Sequence, residues 1–456
     1  MAGVTQTPLS AQRPTVPAAP LPMMKREDTW AIIIGLGLIV VATLAFFSNT
    51  LGLLKPMAVS FTAWTDFSKA LGDISSKFGG IVFLYLFFIV VFGFAVRVMG
   101  VHVPHFIAGF TVLFVLSVFI SLLGINNAWK NWMEGPLLAL AVGIIAGNLI
   151  KLPTWFRAAL KTEFYVKTGI ILMGAILPFT IILSAGPLAI MQATIVSVVT
   201  FGSIYFAATR LFGLDPRFGA CLGAGGSICG VSGAIAIGGA CRAEKEHVSV
   251  AISMVVIWAV VMIFLLPIWA KALGMEAGPA GAWIGTSEFA DAAGFAAAAA
   301  VGDERAIKTF TLMKVVGRDM FVGVWALVVA FLSVTVWERK KADQAERVNV
   351  SEIWNRFPKF VIGFFIASLF TTVVIAMLSP KEGAAYSKEV LGLVKVLRGW
   401  AFTFTFLSIG FTTRFGELTR LGWKPLAAFT IGVLINVPLG YWLSNVVFAG
   451  YWMAIK

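Results

Sequence analysis

The sequence predicts an all-α, polytopic membrane protein. The chain of 456 residues is 59% hydrophobic and 12% charged, a composition outside the range of ordinary soluble domains. Roughly thirteen apolar segments are long enough to cross about 30 Å of hydrocarbon. One of these segments contains five glycines, between positions 223 and 233. An interrupted helix at membrane depth is typical of transporters.

The apolar segments follow a polar tail. Residues 1–29 are rich in Pro, Ala and Thr, which predicts a disordered cytoplasmic tail. The segments are 30–54, 79–99, 104–123, 135–150, 164–184, 188–212, 218–240, 248–271, 282–301, 307–337, 357–379, 394–415 and 425–448. The fourth is short and the ninth is rich in alanine, so either one could be miscounted. The first three segments, within residues 30–130, are interpreted as an accessory transmembrane domain.

Charge predicts the orientation. The net charge of +13 comes from basic residues in short loops between apolar segments, and no basic and aromatic surface for nucleic acid is visible. More of these residues fall on the side of the N-terminus than on the other side. The positive-inside tendency then places the N-terminus in the cytoplasm and the C-terminus in the periplasm of a bacterial inner membrane.

The last ten segments divide into two halves, residues 134–271 and 282–448, with five spans each. An odd number of spans per half means that the second half enters the membrane from the opposite face, as in an inverted repeat. The fourth span of the first half carries the glycine run. The fourth span of the second half carries residues 407–414, which predict a second interrupted helix and, with the first, two crossing helices.

Several ordered blocks resemble a known family. The run Gly-Ala-Gly-Gly-Ser-Ile-Cys-Gly begins at Gly223 and is the most specific of them. Further blocks are residues 138–148, 169–172, 212–215, 410–413 and 424–426. From about residue 135 onwards the chain resembles the YeiH-type sulfate exporter family of bacterial inner-membrane proteins. The resemblance implies an exporter of sulfate or a related sulfur anion, with a fold similar to the cation/proton antiporter and bile-acid-transporter superfamily.

The chain departs from the family pattern in one span. It keeps Ile-Gly-Thr, ending at Thr286, but has Phe289 and Ala290 where the family has an intramembrane His-Glu pair. Glu288 and Asp291 lie one residue to either side. This departure implies that the scaffold is kept while the coupling chemistry or the substrate differs.

The two predicted breaks provide the candidate substrate contacts. The exposed N–H end of a half-helix attracts an anion without a cationic side chain, and glycines and hydroxyls let an oxyanion approach. The candidates are Gly225, Gly226, Ser227, Cys229, Ser232, Thr286, Ser408, Gly410, Thr412 and Thr413. Arg414 is either an electrostatic partner or a helix-end anchor. The alternative for the glycines is a seam of small residues for close helix packing.

Five ionisable residues within apolar segments are the candidates for ion coupling. They are Glu288, Asp291, Lys314, Arg318 and Asp319. Charges at this depth are costly and mark ion pathways or proton relays. The spacing of three between the first two, and of four between Lys314 and Arg318, predicts that each pair shares a helix face. A permanent ion-pair network between two helices is the alternative.

These observations favour a secondary active transporter of a small anion, working by alternating access. The expected partners are the anion, a coupling ion that is H⁺ or Na⁺, and the lipid bilayer; a homodimer is left open. Neither a cofactor nor a metal is predicted. A coupled transporter of a different solute, a passive channel and a membrane-embedded enzyme are the alternatives. An enzyme is disfavoured because the sequence has no His-Glu-x-x-His motif and no dense His/Cys ligand set.

Overall fold

The computed structural model describes residues 22–128, 135–333, 337, 359–413 and 422–455. Within these ranges the regular secondary structure is helical, apart from an isolated bridge between Trp64 and Asn126. The helices are α1 (Glu27–Phe47), α2 (Phe67–Val98), α3 (Val103–Leu123), α4 (Gly135–Leu149), α5 (Thr154–Arg157), α6 (Thr162–Ile176), α7 (Phe179–Leu211), α8 (Pro216–Ser227), α9 (Val231–Ala240), α10 (Lys245–Ala272), α11 (Ala277–Ser287), α12 (Asp291–Ala299), α13 (Glu304–Thr311), α14 (Phe321–Leu332), α15 (Lys359–Met377), α16 (Pro380–Thr412), α17 (Trp423–Val447) and α18 (Ala449–Met453).

Eight of these helices are long and apolar enough to cross a membrane, by length and composition: α1, α2, α3, α7, α10, α15, α16 and α17. The all-α, multi-pass prediction is therefore confirmed. Helices occupy each of the thirteen predicted positions, but several are short or interrupted. Two of those positions, 218–240 and 282–301, are occupied by hairpins of two short helices rather than by one spanning helix.

Hairpin 1 consists of α8 and α9, which lie antiparallel. The Arg217 guanidinium donates to the carbonyl of Arg242 at 3.4 Å, and the sulfur of Cys241 lies 4.0 Å from the Arg217 carbonyl oxygen. The start of α8 therefore lies beside the end of α9. At 1.5 Å per residue the two arms are about 18 and 15 Å long, roughly half of the hydrocarbon thickness. Hairpin 1 enters and leaves the bundle at the same end.

Hairpin 2 consists of α11 and α12. A Cβ at Gly281 would meet the carbonyl oxygen of Ala306, and one at Gly285 would lie 3.3 Å from that of Phe310, so α11 runs parallel to α13. The Phe295 ring on α12 packs on Phe310 at 4.7 Å between centroids, whereas Asp291 lies near Lys314. α12 therefore runs antiparallel to α13 and returns to the end at which α11 begins.

The hairpins enter from opposite ends of the bundle. Helix α10 joins them and is about 42 Å long, enough to cross the hydrocarbon. The expectation that segments 218–240 and 282–301 each cross the membrane is therefore wrong. Each of these two segments turns back at the middle of the bundle, because its arms are too short to reach the other side.

The break predicted at residues 407–414 is also absent from the part that the structure describes, where residues 407–412 are helical. Helix α16 continues without interruption as far as Thr412. A Cβ at Gly410 would lie 2.7 Å from the Cα of Gly143 and 2.6 Å from the Leu140 carbonyl oxygen. The glycine therefore allows close packing of α16 on α4, as small residues commonly do between membrane helices. Arg414 lies outside the described residues.

The first three helices pack on the rest of the bundle. A Cβ at Gly35 on α1 would overlap the Ile171 side chain of α6. Thr43, also on α1, is hydrogen bonded to the hydroxyl of Tyr386 on α16 at 2.8 Å. The division into an accessory domain and two repeat halves stays a prediction. Hairpin 1 lies within the first predicted half, whereas hairpin 2 begins at Ala277, five residues before the second.

Candidate functional site

The turns of the two hairpins meet inside the bundle. Tip 1 is residues 228–230 and tip 2 is residues 288–290. Gly230 has φ +68°, a backbone conformation that favours glycine. A Cβ at this position would also overlap the carbonyl oxygen of Phe289 in tip 2. Glycine is therefore required at tip 1 both for the turn and for the contact between the tips.

Arg318 holds the two tips together. Its side chain is fully buried and extends from the π-helical stretch Leu312–Arg318 that continues α13. The guanidinium donates to carbonyl oxygens at the carboxyl ends of α8 and α11: those of Gly226 (3.3 Å), Ser227 (3.2 Å), Gly285 (3.0 Å), Thr286 (2.8 Å) and Glu288 (3.1 Å). These carbonyls are the groups that an ended helix leaves without partners. The guanidinium of Arg318 thus satisfies free carbonyl groups at the ends of both helices.

Lys314 lies one turn before Arg318 and is also fully buried. Its ammonium donates to the Ile228 carbonyl in tip 1 at 2.7 Å. It also forms ion pairs with Asp291 at 3.2 Å and with Asp319 at 3.7 Å. The cluster of the five predicted coupling residues is therefore present, between the hairpin tips and the stretch that continues α13.

Glu288 differs from its predicted placement. It lies in tip 2 and Asp291 is the first residue of α12, so the two do not share a helix face. One oxygen of the buried Glu288 carboxyl accepts from the backbone N–H groups of Phe289 (2.9 Å) and Ala290 (3.2 Å). Its other oxygen has no hydrogen-bond partner in the described part of the chain. Glu288 thus stabilises the turn before α12.

A cavity of about 310 Å³ lies at the amino ends of α9 and α12. These are the second arms of the two hairpins, and their first N–H groups have no partner within the helix. Neither arm has a capping side chain at its N-cap residue, Gly230 or Ala290. The polar residues that line the cavity are Thr162, Glu163, Cys229, Ser232, Asp291, Thr412 and Thr413. The cavity therefore brings two partly positive helix ends together with hydroxyl groups and two carboxylates.

Four of the predicted substrate contacts line this cavity: Cys229, Ser232, Thr412 and Thr413. Two come from hairpin 1 and two from the carboxyl end of α16. The sequence placed the last two in a symmetric break, whereas the structure places them at an intact helix end. The hydroxyls of both threonines donate to the Ile409 or Ser408 carbonyl of their own helix.

Three glycines and a threonine among the candidates lie outside the cavity lining. Gly225 and Gly226 belong to α8, and Cβ atoms there would collide with Val255 and Ile204. They serve close helix packing, which is the alternative that the sequence left open. The Thr286 hydroxyl donates to the Trp283 carbonyl at 2.7 Å. Gly410 lies in the α4 contact described above.

Ser227 and Ser408 are fully buried and also lie outside the lining. Neither hydroxyl has a hydrogen-bond partner among the described residues. The backbone of Ser227 contributes to the site, because its carbonyl accepts from Arg318. The serine side chains themselves do not reach the cavity.

Glu163 is a cavity residue that the sequence did not single out. It lies in the first turn of α6 and forms an ion pair with Lys167 at 3.3 Å. Glu163 directly precedes the predicted apolar segment 164–184, a position that is typical of a loop residue. Asn436, fully buried in α17, was also missed; its amide donates to the Thr286 carbonyl at 3.1 Å. A lone Asn within an apolar span was the available signal.

The described residues contain no group of three or more His, Cys, Asp or Glu side chains that could hold a metal ion. The fold and the site define a class: multi-pass α-helical membrane proteins in which two hairpins meet at a buried charge cluster. The chain belongs to the family described as Conserved hypothetical protein 698, whose model matches residues 108–429.

The chain is similar to membrane proteins of several bacteria. The chain is 33% identical to a UPF0324 membrane protein of Rhodopirellula baltica, over 87% of this chain and 73% of the relative. It is 32% identical to one of Nitratidesulfovibrio vulgaris, covering 78% of this chain and 62% of that protein. A Nitrosomonas europaea relative is 29% identical, over 92% and 95% of the two chains. No solved structure matches the chain.

Proposed function

We propose that the protein is a secondary active transporter of a small anion, ion-coupled and working by alternating access. The supporting observation is the cavity at the amino ends of α9 and α12. Each such end carries about half a positive elementary charge and free N–H donors. Discontinuous helices whose amino ends point at an anion, near the midplane and between elements of opposite orientation, are a recurring transporter solution.

The charge cluster is the proposed coupling element. It contains three carboxyl groups, Glu288, Asp291 and Asp319, and two cations, Lys314 and Arg318. A surplus buried negative charge is costly, so one carboxyl group is suited to hold a proton or pair with Na⁺. Asp291 lines the cavity and pairs with Lys314. A ligand or ion that binds there changes this ion pair directly.

The proposed setting is the bacterial inner membrane, with a cytoplasmic N-terminus and a periplasmic C-terminus. Replacing two crossings by two hairpins removes an even number of crossings, so each terminus stays on its predicted side. The hairpins move Arg242 and Lys245 to the side of the N-terminus and Lys271 to the other side, which strengthens the positive-inside bias. We propose neither catalysis nor nucleic-acid binding, and sulfate or a related sulfur anion is the ligand class that the family resemblance suggests.

The test is thermal stability of the purified full-length protein in detergent with sulfate, sulfite, thiosulfate, small sulfonates and small carboxylates. A ligand that binds the folded state stabilises it by about 2.7 kcal/mol at a hundredfold excess over Kd, and this raises the apparent melting temperature. Chloride at equal ionic strength corrects for the general effect of salts. The proposal predicts a shift with at least one anion that is lost in Ser232→Ala, which removes a cavity hydroxyl.

Ser253→Ala is the matched control. Ser253 lies on α10, outside the cavity lining, and its hydroxyl donates to the Ser249 carbonyl. This variant keeps the full ligand shift. Absence of any shift in a well-folded wild type, with any anion at two pH values and with or without Na⁺, would overturn the anion assignment. Uptake into proteoliposomes then distinguishes coupled transport, which Asp291→Asn abolishes, from passive flow, which survives that change.

A further inference from the structure

The walls of the cavity are more apolar than an inorganic oxyanion needs. One face of α10 supplies Val256, Ala259, Val260 and Ile263. Their spacing of three and four residues places them on one stripe of the helix. Ile409 contributes from the α16 side. A ligand in the cavity thus contacts polar groups at the hairpin ends and an aliphatic surface along α10.

The charge available to a ligand is also limited. No lysine or arginine is among the described residues that line the cavity. The nearest buried cations are already engaged: Arg318 with five carbonyl oxygens, and Lys314 with a carbonyl and two carboxylates. The two carboxylates in the lining are themselves paired, Glu163 with Lys167 at 3.3 Å and Asp291 with Lys314 at 3.2 Å. The positive charge that remains for a ligand is therefore that of two helix ends, about half an elementary charge each. That sum matches one negative charge on the ligand, while a dianion would be left under-compensated in a low-dielectric site.

The size of the cavity also favours a small organic ligand over an inorganic ion. Pockets for small organic molecules span roughly 300–1,000 Å³, and the volume of about 310 Å³ lies at the lower end of that range. A tetrahedral inorganic ion would fill part of this space and leave the α10 stripe in contact with water. A short hydrocarbon chain would cover the stripe.

Building on the proposed function, we propose that the ligand is a small organic monoanion with an oxyanion head and a short apolar body, rather than sulfate. The head lies at the amino ends of α9 and α12, near Ser232. The body lies along Val256, Val260 and Ile263. Alkanesulfonates and alkanoates have this chemistry, and the two head groups are separate arms of the test.

The test is isothermal titration calorimetry on the full-length protein in detergent, at constant ionic strength. The probes are sulfate, methanesulfonate, propanesulfonate, pentanesulfonate and the corresponding alkanoates. Each methylene buried on the stripe is expected to strengthen binding by roughly three- to fourfold until the cavity is filled. Sulfate is expected to bind more weakly than propanesulfonate by at least tenfold.

Two valine variants separate the stripe from general effects. Val260→Thr replaces a wall methyl by a hydroxyl of equal size and is expected to weaken propanesulfonate binding about three- to tenfold, with a smaller effect on methanesulfonate. Val261→Thr is the matched control, because Val261 is the next residue of α10, is 38% exposed and lies outside the lining. It leaves both affinities unchanged.

The outcomes distinguish the two proposals. If sulfate binds more tightly than every organic anion, or if chain length has no effect, the inference is overturned while the anion-transporter proposal stands. If equal losses follow from Val260→Thr and Val261→Thr, the stripe is not the binding surface and the inference also falls. If no anion binds a well-folded protein, both proposals fail together.

Discussion

The two hairpins reach the same shape by different means. Tip 1 turns at Gly230, whose positive φ and missing Cβ suit the turn and the neighbouring chain. Tip 2 contains Glu288, Phe289 and Ala290 and no glycine. There the freed N–H groups bind the Glu288 carboxyl, and the freed carbonyls bind Arg318. A break can thus be encoded locally by backbone freedom, or remotely by a side chain from another helix.

The largest expected effect comes from removing the remote partner that both hairpins share. Arg318→Met leaves five buried carbonyl groups without their charged donor. Each unsatisfied buried group costs about 1–3 kcal/mol, so we expect the unfolding free energy to fall by more than about 5 kcal/mol, or the protein not to fold. The measurement is the unfolding transition in mixed detergent and SDS, followed by circular dichroism.

Arg318→Lys keeps the charge and makes the test specific. A lysine ammonium has three donors at one point and cannot span two helix ends as the planar guanidinium does. We therefore expect it to recover less than half of the lost stability. Arg305→Lys is the control, because this side chain is 42% exposed and its salt bridge is with Asp303, so no measurable change is expected. Wild-type stability of Arg318→Lys would show that charge alone joins the tips.

A smaller effect is expected at tip 1, where the encoding is local. Gly230→Ala imposes a Cβ on a residue with φ +68° and ψ −116°, a conformation outside the αL region, at about 1–3 kcal/mol. It also pushes the Cβ against Phe289, at about 1–3 kcal/mol more. The sum is a loss of about 2–6 kcal/mol in the same unfolding measurement. It also separates the tips and should weaken anion binding in the cavity.

Gly213→Ala separates the two contributions. Gly213 has φ +64°, but a Cβ added at this position would have no neighbouring atom within 4 Å. It therefore carries the backbone cost alone, about 1–2 kcal/mol. Equal losses at Gly213 and Gly230 would mean that the tips do not press on each other, and the description of the site as two touching hairpins would fail.

The two modes of encoding explain which parts of the site the sequence revealed. The glycine run predicted an interruption in the first half, because glycine disfavours a helix on its own. No local signal of that strength marks tip 2, whose turn depends on Arg318 about thirty residues later in the chain. The charges themselves were visible, and their clustering around Lys314 followed from the cost of burying them singly. The path of the chain between the charged residues was not visible in the sequence.

The hairpins were mistaken for crossings for a related reason. Segments 218–240 and 282–301 have the length of a spanning helix, and a turn near the middle of each segment does not change that length. The weak hydrophobicity of segment 282–301 indicates that this segment is not an ordinary spanning helix. From the sequence it supports only the expectation that the segment could be miscounted. Gly410 produced the opposite error, a predicted break in a helix that is continuous. A glycine that permits contact with Gly143 cannot be distinguished in sequence from one that breaks a helix.

The smallest expected effect tests that correction at the predicted second break. The hydroxyl of Ser408 is buried and without a partner among the described residues. Ser408→Ala removes a polar group that gains nothing from its surroundings, so we expect the stability to stay within about 0.5 kcal/mol of wild type or to rise slightly. Anion affinity in the cavity should not change, because Ser408 is not part of the lining.

Ser368→Ala is the matched comparison. Ser368 is equally buried, but its hydroxyl donates to the Leu177 carbonyl. Its removal leaves that acceptor unsatisfied and should cost about 1–3 kcal/mol. A loss of anion binding in Ser408→Ala, at unchanged stability, would restore Ser408 to the site and argue that α16 opens at this point when ligand binds. Unchanged binding in Ser408→Ala, with lost binding in Ser232→Ala, would confine the ligand to the hairpin side of the cavity.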